Sequence, residues 1–343
     1  MAVSSGNTVQ ATDYTDALGR VLAILGDGSG QSGYGQIVNS YETYSGVSAN
    51  DELITHDHTS KLAIDVNICA SHQGSAGVAS TFNSPGQIIG ADATGTSAGN
   101  LNATTRGFND LLTGISNIET SADSSVGFTI DDVRTLTSST RFSAWGGDGD
   151  PDDNIWSELD VIFEGGYATT NVTGRTVATS SDHRRHFFNA GGDIRITFFG
   201  NSNTTKDADW NTMLSNVTVV FGKNSTTANS GLARDGSTDV NGGGIDSAFG
   251  NYQLTTSYSI IFRKFGSGAY STNYVQVRAK RVGTNVIRFR VDFNDFAEGN
   301  PNFDERVLVS GGTMGAGLHL KRPTGVVTVP TPTDGVATEF QDT

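Results

Sequence analysis

The hydrophobic period of the chain changes near residue 124, and this change constrains the fold more than any other feature. Before it, apolar residues recur about every 3.6 residues, as one buried face of an α-helix requires. After it, apolar and polar residues alternate with a period of two, as they do in half-buried β-strands. The sequence therefore predicts an α+β protein, in which a small helical N-terminal region precedes an antiparallel β-sandwich.

Three short helices are predicted in the N-terminal region. The first is capped by Thr12 and ends at Gly26, the second spans about 55–71 with Gly74 as its stop, and the third lies between 104 and 119. Helices this short are unstable alone in water, so each must cover its apolar stripe with the other helices or with a partner chain. The stripes consist of Tyr14, Leu18, Val21, Leu22 and Leu25; of Leu62, Val66 and Cys69; and of Phe108, Leu111, Leu112, Ile115 and Ile118.

Alternating segments separated by turn residues fill the region after residue 124. The clearest is 286–293, where Arg288 and Arg290 alternate with apolar neighbours and one face is exposed to water. Seven or eight strands of this kind are typical of an antiparallel sandwich, and residues 206–214 interrupt them as a short helix. The predicted strands are 155–163, 194–198, 217–221, 252–265, 274–282, 286–293 and 305–309.

These patterns divide the chain into three parts. Residues 1–123 form a helical assembly or attachment region, and residues 124–322 form the antiparallel β-sandwich domain. Residues 323–343 contain Pro330 and Pro332 and few large apolar side chains. This last segment is expected to be an extended C-terminal arm that becomes ordered on a neighbouring subunit.

Charge and targeting signals narrow the classes of function. The formal net charge of −14 and the lack of a Lys/Arg-rich run argue against nucleic acid as a partner. The first residues have neither the basic start nor the apolar core of a secretory signal peptide, so synthesis in the cytoplasm without export by that route is expected. No apolar run reaches the roughly 18 residues of a membrane helix, so membrane insertion is not expected. With Cys69 as its one cysteine, the chain has no intrachain disulfide.

An acidic stretch offers a weak calcium candidate. Asp148, Asp150 and Asp152 alternate, and carboxylates in this arrangement can converge on a hard cation. The stretch does not match an EF-hand loop, because Asp153 stands where the turn glycine is required and Leu159 occupies the twelfth position. A solvated acidic loop before a strand is the preferred interpretation, and no metal is assigned.

The histidines and the cysteine of the second helix do not form a convincing site. His56 and His58 are two residues apart, so on a helix they diverge by about 200°, and two ligands leave a structural zinc site incomplete unless His72 or a symmetry mate contributes. We interpret His56 and His58 as surface residues on the polar face. Cys69 lies on the apolar stripe beside His72 and is interpreted as a core residue, not as a nucleophile. No catalytic residue and no cofactor is predicted, so the protein is not expected to be an enzyme.

The most distinctive run spans residues 183–196, HRRHFFNAGGDIRI, which we call the signature. It resembles the RHFFN(S/A)GGEIRI pattern of virion structural proteins of tailed phages, best known from cyanophages and other marine phages, with Asp193 in place of the glutamate. Six further stretches match in the same order: 11–14, 67–74, 209–214, 252–258, 266–274 and 291–295. The signature residues expected to serve assembly are His183, Arg184, Arg185, His186, Phe187, Phe188, Asn189, Gly191 and Gly192.

This resemblance implies a virion component of the tail, baseplate, neck or fibre, and it implies no catalytic chemistry. It also implies a homo-oligomer, a trimer or hexamer, whose partners are other tail, baseplate or neck proteins. From the residues alone, Phe187 and Phe188 beside the Gly191-Gly192 turn suggest a loop tucked against the sandwich before the next strand. Arg184 and Arg185 are then candidates for ion pairs with Asp182, with Asp193 or with carboxylates of another subunit.

Two alternative functions stay open. A receptor- or glycan-binding fibre module would take a host surface receptor as its partner, and exposed aromatic residues such as Trp145 and Trp156 would be its ligand contacts. A depolymerase is less favoured. Its paired carboxylates would be separated by a distance that the fold sets and that sequence spacing does not reveal.

Overall fold

In a computed structural model the chain forms two compact units. Unit 1 comprises residues 1–131, 165–191 and 323–330, and unit 2 comprises residues 132–164, 192–322 and 331–343. The structure describes residues 9–44, 54–78, 107–122, 130–141, 154–171, 174–200, 205–215, 217–229, 244–245, 249–296, 314–323 and 325–342.

The unit boundaries differ from the predicted ones at 123/124 and 322/323. The helical N-terminal part takes in residues 165–191 from the middle of the chain and residues 323–330 from its C-terminal part. Hydrogen bonds between residues far apart in sequence hold both insertions to the N-terminal part, such as those from Arg185 to the main-chain oxygen of Ser32 and from Gln36 to that of Thr328. A period read along the sequence carries no information about such pairings.

Unit 1 is built mainly from helices. Helix α1 begins one residue before Thr12, the predicted cap, and the main-chain amide of Gln10 donates to the carboxylate of Asp13 at 2.9 Å. The second predicted helix is confirmed, and it ends at Gly74, whose φ of +63° is the left-handed conformation of a helix stop. The elements of unit 1 are α1 (Ala11–Ile24), α2 (Asn39–Tyr44), α3 (His56–Gln73), α4 (Phe108–Ala122), the hairpin β3 (Ala168–Asn171) and β4 (Gly174–Val177), and α5 (Ser180–Asn189).

The apolar stripes of α1, α3 and α4 cover one another. Tyr14 and Val21 of α1, Val66 of α3 and Ile115 of α4 are completely buried within the chain. The alternative in which a partner chain supplies their cover is therefore not needed, because three helices in contact bury all three stripes. Within the described residues, none of the helices has both the length and the apolar character that a membrane crossing requires.

Unit 2 contains two antiparallel sheets, which confirms the predicted sandwich-like part of the fold. The strands are β1 (Ile130–Arg141), β2 (Ile155–Ile162), β5 (Asp193–Phe199), β6 (Thr218–Phe221), β7 (Thr226–Asn229), β8 (Gly244–Ile245), β9 (Ser259–Phe265), β10 (Tyr274–Val282), β11 (Val286–Asn294), β12 (Met314–Pro323) and β13 (Thr333–Asp342). The five-stranded sheet has the order β1-β12-β5-β6-β7, and the six-stranded sheet has the order β13-β2-β11-β10-β9-β8.

Aromatic residues fill the space between the sheets. Phe198 of β5 stacks on Phe262 of β9 with ring centroids 6.0 Å apart and meets Phe293 of β11 edge-on. Phe221 of β6 meets Phe289 of β11 at 5.4 Å. These edge-to-face and offset contacts are the arrangements that aromatic rings prefer, and they fix the inner face of each strand.

Two predictions for the second part of the chain change, one is confirmed, and one concerns residues that are not described. The predicted strand 252–265 begins only at Ser259, because Asn251–Gln253 forms a 3₁₀ turn. The short helix is confirmed as α6 (Thr205–Leu214), and the predicted strand 305–309 lies outside the described residues. The predicted extended arm is wrong for residues 333–342, because Thr333–Asp342 is strand β13, paired with β2 of the same chain.

Candidate functional site

The first part of the signature is helical. Thr179 caps α5: its hydroxyl accepts from the amide of Asp182, and the carboxylate of Asp182 accepts from the amide of Thr179 at 2.9 Å. This capping box starts a helix where a loop was predicted, so the expected loop-to-strand corner is wrong up to Asn189. The corner itself is at Gly191, with φ of +88°, and strand β5 follows from Asp193.

Helix α5 donates hydrogen bonds to a glycine-rich loop, residues 26–35. Arg185 Nη1 donates to the main-chain oxygen of Ser32 at 2.8 Å, and Asn189 Nδ2 donates to that of Gly33 at 3.0 Å. His186 Nε2 lies 3.2 Å from the main-chain oxygen of Asp27 in the same loop. Residues of the signature thus satisfy main-chain acceptors of a loop more than a hundred residues away in sequence, and the pairing holds the loop in one conformation.

Arg185 also carries the ion pairs of this region. Its guanidinium lies 2.9 Å from Asp182 and 3.4 Å from Asp27, so the predicted pairing with Asp182 is confirmed for this arginine. Burial opposes ionisation of Asp182, but hydrogen bonds from Thr179 and Arg185 outweigh it and lower the pKa of this carboxyl. Asp193, the other predicted partner, pairs with Arg195 in unit 2.

His183 ties the C-terminal segment to unit 1. Its Nδ1 accepts from the amide of Gly165 at 3.1 Å, and its Nε2 donates to the main-chain oxygen of Pro330 at 2.8 Å. Gln36 holds the same segment, because its side chain donates to the Thr328 oxygen at 2.9 Å and accepts from the Thr328 amide at 3.3 Å. The signature therefore joins three separate stretches of chain within unit 1.

The histidines of α3 are more buried than the sequence indicated. His58 is 4 % exposed, and its Nδ1 lies 2.6 Å from the hydroxyl of the capping residue Thr55, so the surface interpretation is wrong for His58. His72 is completely buried and donates from Nε2 to the main-chain oxygen of Ala190 at 2.9 Å. Cys69 is confirmed as a core residue, and burial raises the pKa of its thiol. In the part of the chain that is described, no cluster of three or more His, Cys, Asp or Glu side chains could hold a metal.

Asp65 is a buried carboxylate that sequence reasoning missed. It caps α2 by accepting from the amides of Asn39 and Ser40 and from both of their side chains, at 2.7 to 3.1 Å. Burial raises the pKa of Asp65, and the hydrogen bonds from Ser40 and Asn39 reduce the rise. Its position three residues after Leu62, on the apolar stripe, was the available signal, since a charge on a buried face needs partners.

The acidic stretch and one candidate aromatic residue lie outside the described residues. Asp148, Asp150, Asp152 and Trp145 belong to residues 142–153, so the calcium and ligand predictions there stay predictions. Trp156 lies on β2, on the outer face of the six-stranded sheet. The guanidinium of Arg290 is 4.2 Å from the centre of its ring, so this face of the indole already contacts a cation.

Charged side chains on this outer face form ion pairs in which the carboxylate is more buried than the arginine. Arg288 pairs with Asp160 at 2.7 Å, and Arg290 pairs with Asp292 at 2.6 Å. The hydrogen bond to Asp160 raises the pKa of the Arg288 guanidinium. The Asp292 side chain is 4 % exposed, whereas Arg290 and Arg278, which both pair with it, are 21 % and 34 % exposed, so this carboxylate lies under two guanidinium groups. The arrangement is an ion-pair network that orders neighbouring strands.

Comparison with protein-family models, with curated proteins and with solved structures finds no match to this chain. No relative therefore indicates a function. A function must therefore be inferred from the geometry of each unit and the chemistry of its side chains.

The burial of His72 predicts a pH effect on stability. Burial lowers the pKa of its imidazole, so below a pH of about 6.5 the unfolded chain binds a proton that the folded chain does not. We expect the free energy of unfolding to fall as the pH is lowered from 7 to 5, and His72→Gln to reduce this fall. Urea unfolding at several pH values measures both.

Thr120, an exposed residue of α4 without an ionisable side chain, supplies the control. Thr120→Gln should leave the pH dependence of unfolding as it is in the unmodified protein. An unchanged pH dependence in His72→Gln would show that other groups cause the effect.

Proposed function

We propose that this chain is a structural subunit of a tailed-phage particle, a component of the tail, baseplate, neck or fibre, and that it acts by assembly. The observation that supports the proposal is that the signature residues bind the backbone of their own chain. Its histidines, Arg185 and Asn189 bind main-chain groups of unit 1. A chain whose most distinctive residues hold its own backbone in place fits a structural role.

The surface expected to serve assembly lies on unit 1. Ile64 and Val326 are 41 % and 50 % exposed, and Ile68, one turn after Ile64, lines with Val326 a depression of about 370 Å³. Since the helical stripes are already covered within the chain, contacts between copies need another apolar surface of this kind. We infer that a second copy covers the depression in a trimer or hexamer.

Light scattering after size-exclusion chromatography tests this interface. The unmodified protein is expected to elute as a trimer or hexamer at micromolar concentration. Val326→Asp places a charge in the apolar contact, and we expect it to weaken association by about tenfold or more. Mass spectrometry of purified phage particles should find the protein in stoichiometric amount.

Val177→Asp is the matched control, because Val177 is 68 % exposed in unit 1 and does not line the depression. It should assemble like the unmodified protein. A protein that is monomeric at every concentration and missing from particles would contradict the proposed function. Loss of assembly in both variants would reject the depression as the interface.

A further inference from the structure

Two cations on the outer face of the six-stranded sheet are not balanced by carboxylates. The ion-paired side chains of this face are Glu158, Asp160 and Asp292 with Arg278, Arg288 and Arg290. Arg263 of β9 and Lys280 of β10 have no ion pair with any described residue. The Arg263 guanidinium instead lies 4.7 Å from the ring centre of Tyr274 and donates to the amide oxygen of Gln276, and the Lys280 ammonium lies 4.1 Å from the ring centre of Tyr258. Rings and an amide hold these cations in place but leave their charges uncompensated.

Exposed apolar side chains lie beside these two cations. Ile260 and Phe265 of β9 are 44 % and 39 % exposed. A register shift between β9 and β10 brings Ile260, Arg263 and Phe265 to one face of the sheet, opposite Arg278, Gln276 and Tyr274 of β10. We call Ile260, Arg263, Phe265 and Lys280 the β9 face. An exposed apolar patch with uncompensated positive charge fits a partner surface that is acidic and has room for a large side chain.

A surface of unit 1 has this complementary character. Helix α1 lines an open depression of about 570 Å³ with the small residues Ala11, Thr12, Thr15, Gly19 and Ala23. A Cβ at Gly19 would meet no atom within 4 Å, so the space beside the helix is open there. Arg20 donates to both carboxylate oxygens of Glu119 at 2.7 Å, and the exposed Asp16 remains as a second carboxylate in the lining. This surface, the α1 depression, therefore has an excess of negative charge.

We propose that the β9 face of one copy docks into the α1 depression of a second copy. Phe265 fills the open space beside Gly19, and Arg263 pairs with Asp16. Two β9 faces do not pair with each other, because their cations would meet across a two-fold axis. A contact between two different surfaces is heterologous and can close a ring of copies. The inference rests on the proposed function in requiring that copies assemble, and it adds a second contact, separate from the depression at Val326.

Gly19→Leu tests the docking without endangering the fold. Leucine fills the α1 depression, it is a better helix former than glycine, and its Cβ meets no atom within 4 Å. We expect urea unfolding to show no loss of stability, while analytical ultracentrifugation shows self-association weakened by about tenfold or more. Phe265→Ala removes the docked ring and should weaken association to a similar degree.

Charge reversal tests the ion pair between the copies. Arg263→Glu and Asp16→Arg each bring like charges together, and each should weaken association by about tenfold or more. The double variant restores an opposite pair and is expected to associate within about threefold of the unmodified protein. Arg281→Glu is the matched control for the change in net charge. Arg281 follows Lys280 on β10 but is in register with the buried Ile287, so it does not belong to the β9 face.

The outcomes separate this contact from the proposed function. Unchanged association in Gly19→Leu and in both charge variants would overturn the contact, even if Val326→Asp disrupts assembly. A double variant that associates no better than the single ones would also overturn it. A protein that is monomeric at every concentration but present in phage particles would reject the contact and leave the proposed function standing. Association as described by a protein that is absent from particles would do the reverse.

Discussion

Asp193→Ala is expected to lower the free energy of unfolding by about 3 to 5 kcal/mol, because it leaves a buried charge without its partner. Arg195 and Asp193 are both completely buried, and Nε of the arginine donates to the carboxylate at 2.8 Å with a second contact from Nη2 at 3.3 Å. His319 lies opposite Arg195 on β12, and burial together with this guanidinium lowers the pKa of its imidazole. Urea unfolding at pH 7 measures the loss.

The double variant Asp193→Leu with Arg195→Met is the control for this pair. It replaces both charges by apolar side chains, and such replacements of buried ion pairs are often neutral or stabilising. We expect the double variant to be more stable than Asp193→Ala. If Asp193→Ala cost less than about 1 kcal/mol, the guanidinium would have to reach water or another partner in the folded chain.

The helices and most strands of this fold could be predicted because their pattern is local. Tyr14, Leu18 and Val21 repeat at helical spacing, and they are buried on one side of α1. Ile287, Phe289 and Val291 alternate with charged residues, and the described strand β11 has the same inner face. In both cases the spacing of apolar residues along one helix or strand identifies the face of that element that is buried.

The signature shows where local patterns fail. Its two adjacent phenylalanines and paired glycines suggested a loop. Thr179 and Asp182 instead cap a helix that begins three residues before the signature. The partners of this helix, Asp27 and residues 32–33, are more than 150 residues earlier in sequence. Hydrogen bonds to distant main-chain oxygens produce no periodic pattern in the sequence. The role of these residues therefore could not be predicted from it.

The C-terminal strand was missed for a related reason. Residues 333–342 contain only two large apolar side chains, Val336 and Phe340, and two prolines stand just before them. Among the described strands, β13 is at the edge of the six-stranded sheet and pairs with β2, and weak alternation suffices for an edge strand. Its pairing with β2, which includes two register shifts, could not be read from so polar a segment.

Gly35→Ala is expected to destabilise the protein by about 2 to 5 kcal/mol, since two penalties add at this position. The residue has φ of +71°, which a residue with a Cβ adopts only at a cost of about 1 to 2 kcal/mol. A Cβ here would also lie 2.2 Å from Nδ1 of His186. That ring cannot move aside freely, because Tyr167 contacts it at 2.7 Å and the main-chain oxygen of Asp27 at 3.2 Å.

Gly30 of the same loop separates the two penalties. It has φ of +61°, but a Cβ there meets no atom within 4 Å, so Gly30→Ala should cost only about 1 to 2 kcal/mol. Combining Gly35→Ala with His186→Ala should remove the clash, and a double-mutant cycle from urea unfolding gives the coupling between the two sites. Equal losses for Gly30→Ala and Gly35→Ala, with no coupling to His186, would mean that α5 does not pack against the glycine-rich loop. A large coupling would establish that the signature helix and this loop form one structural unit.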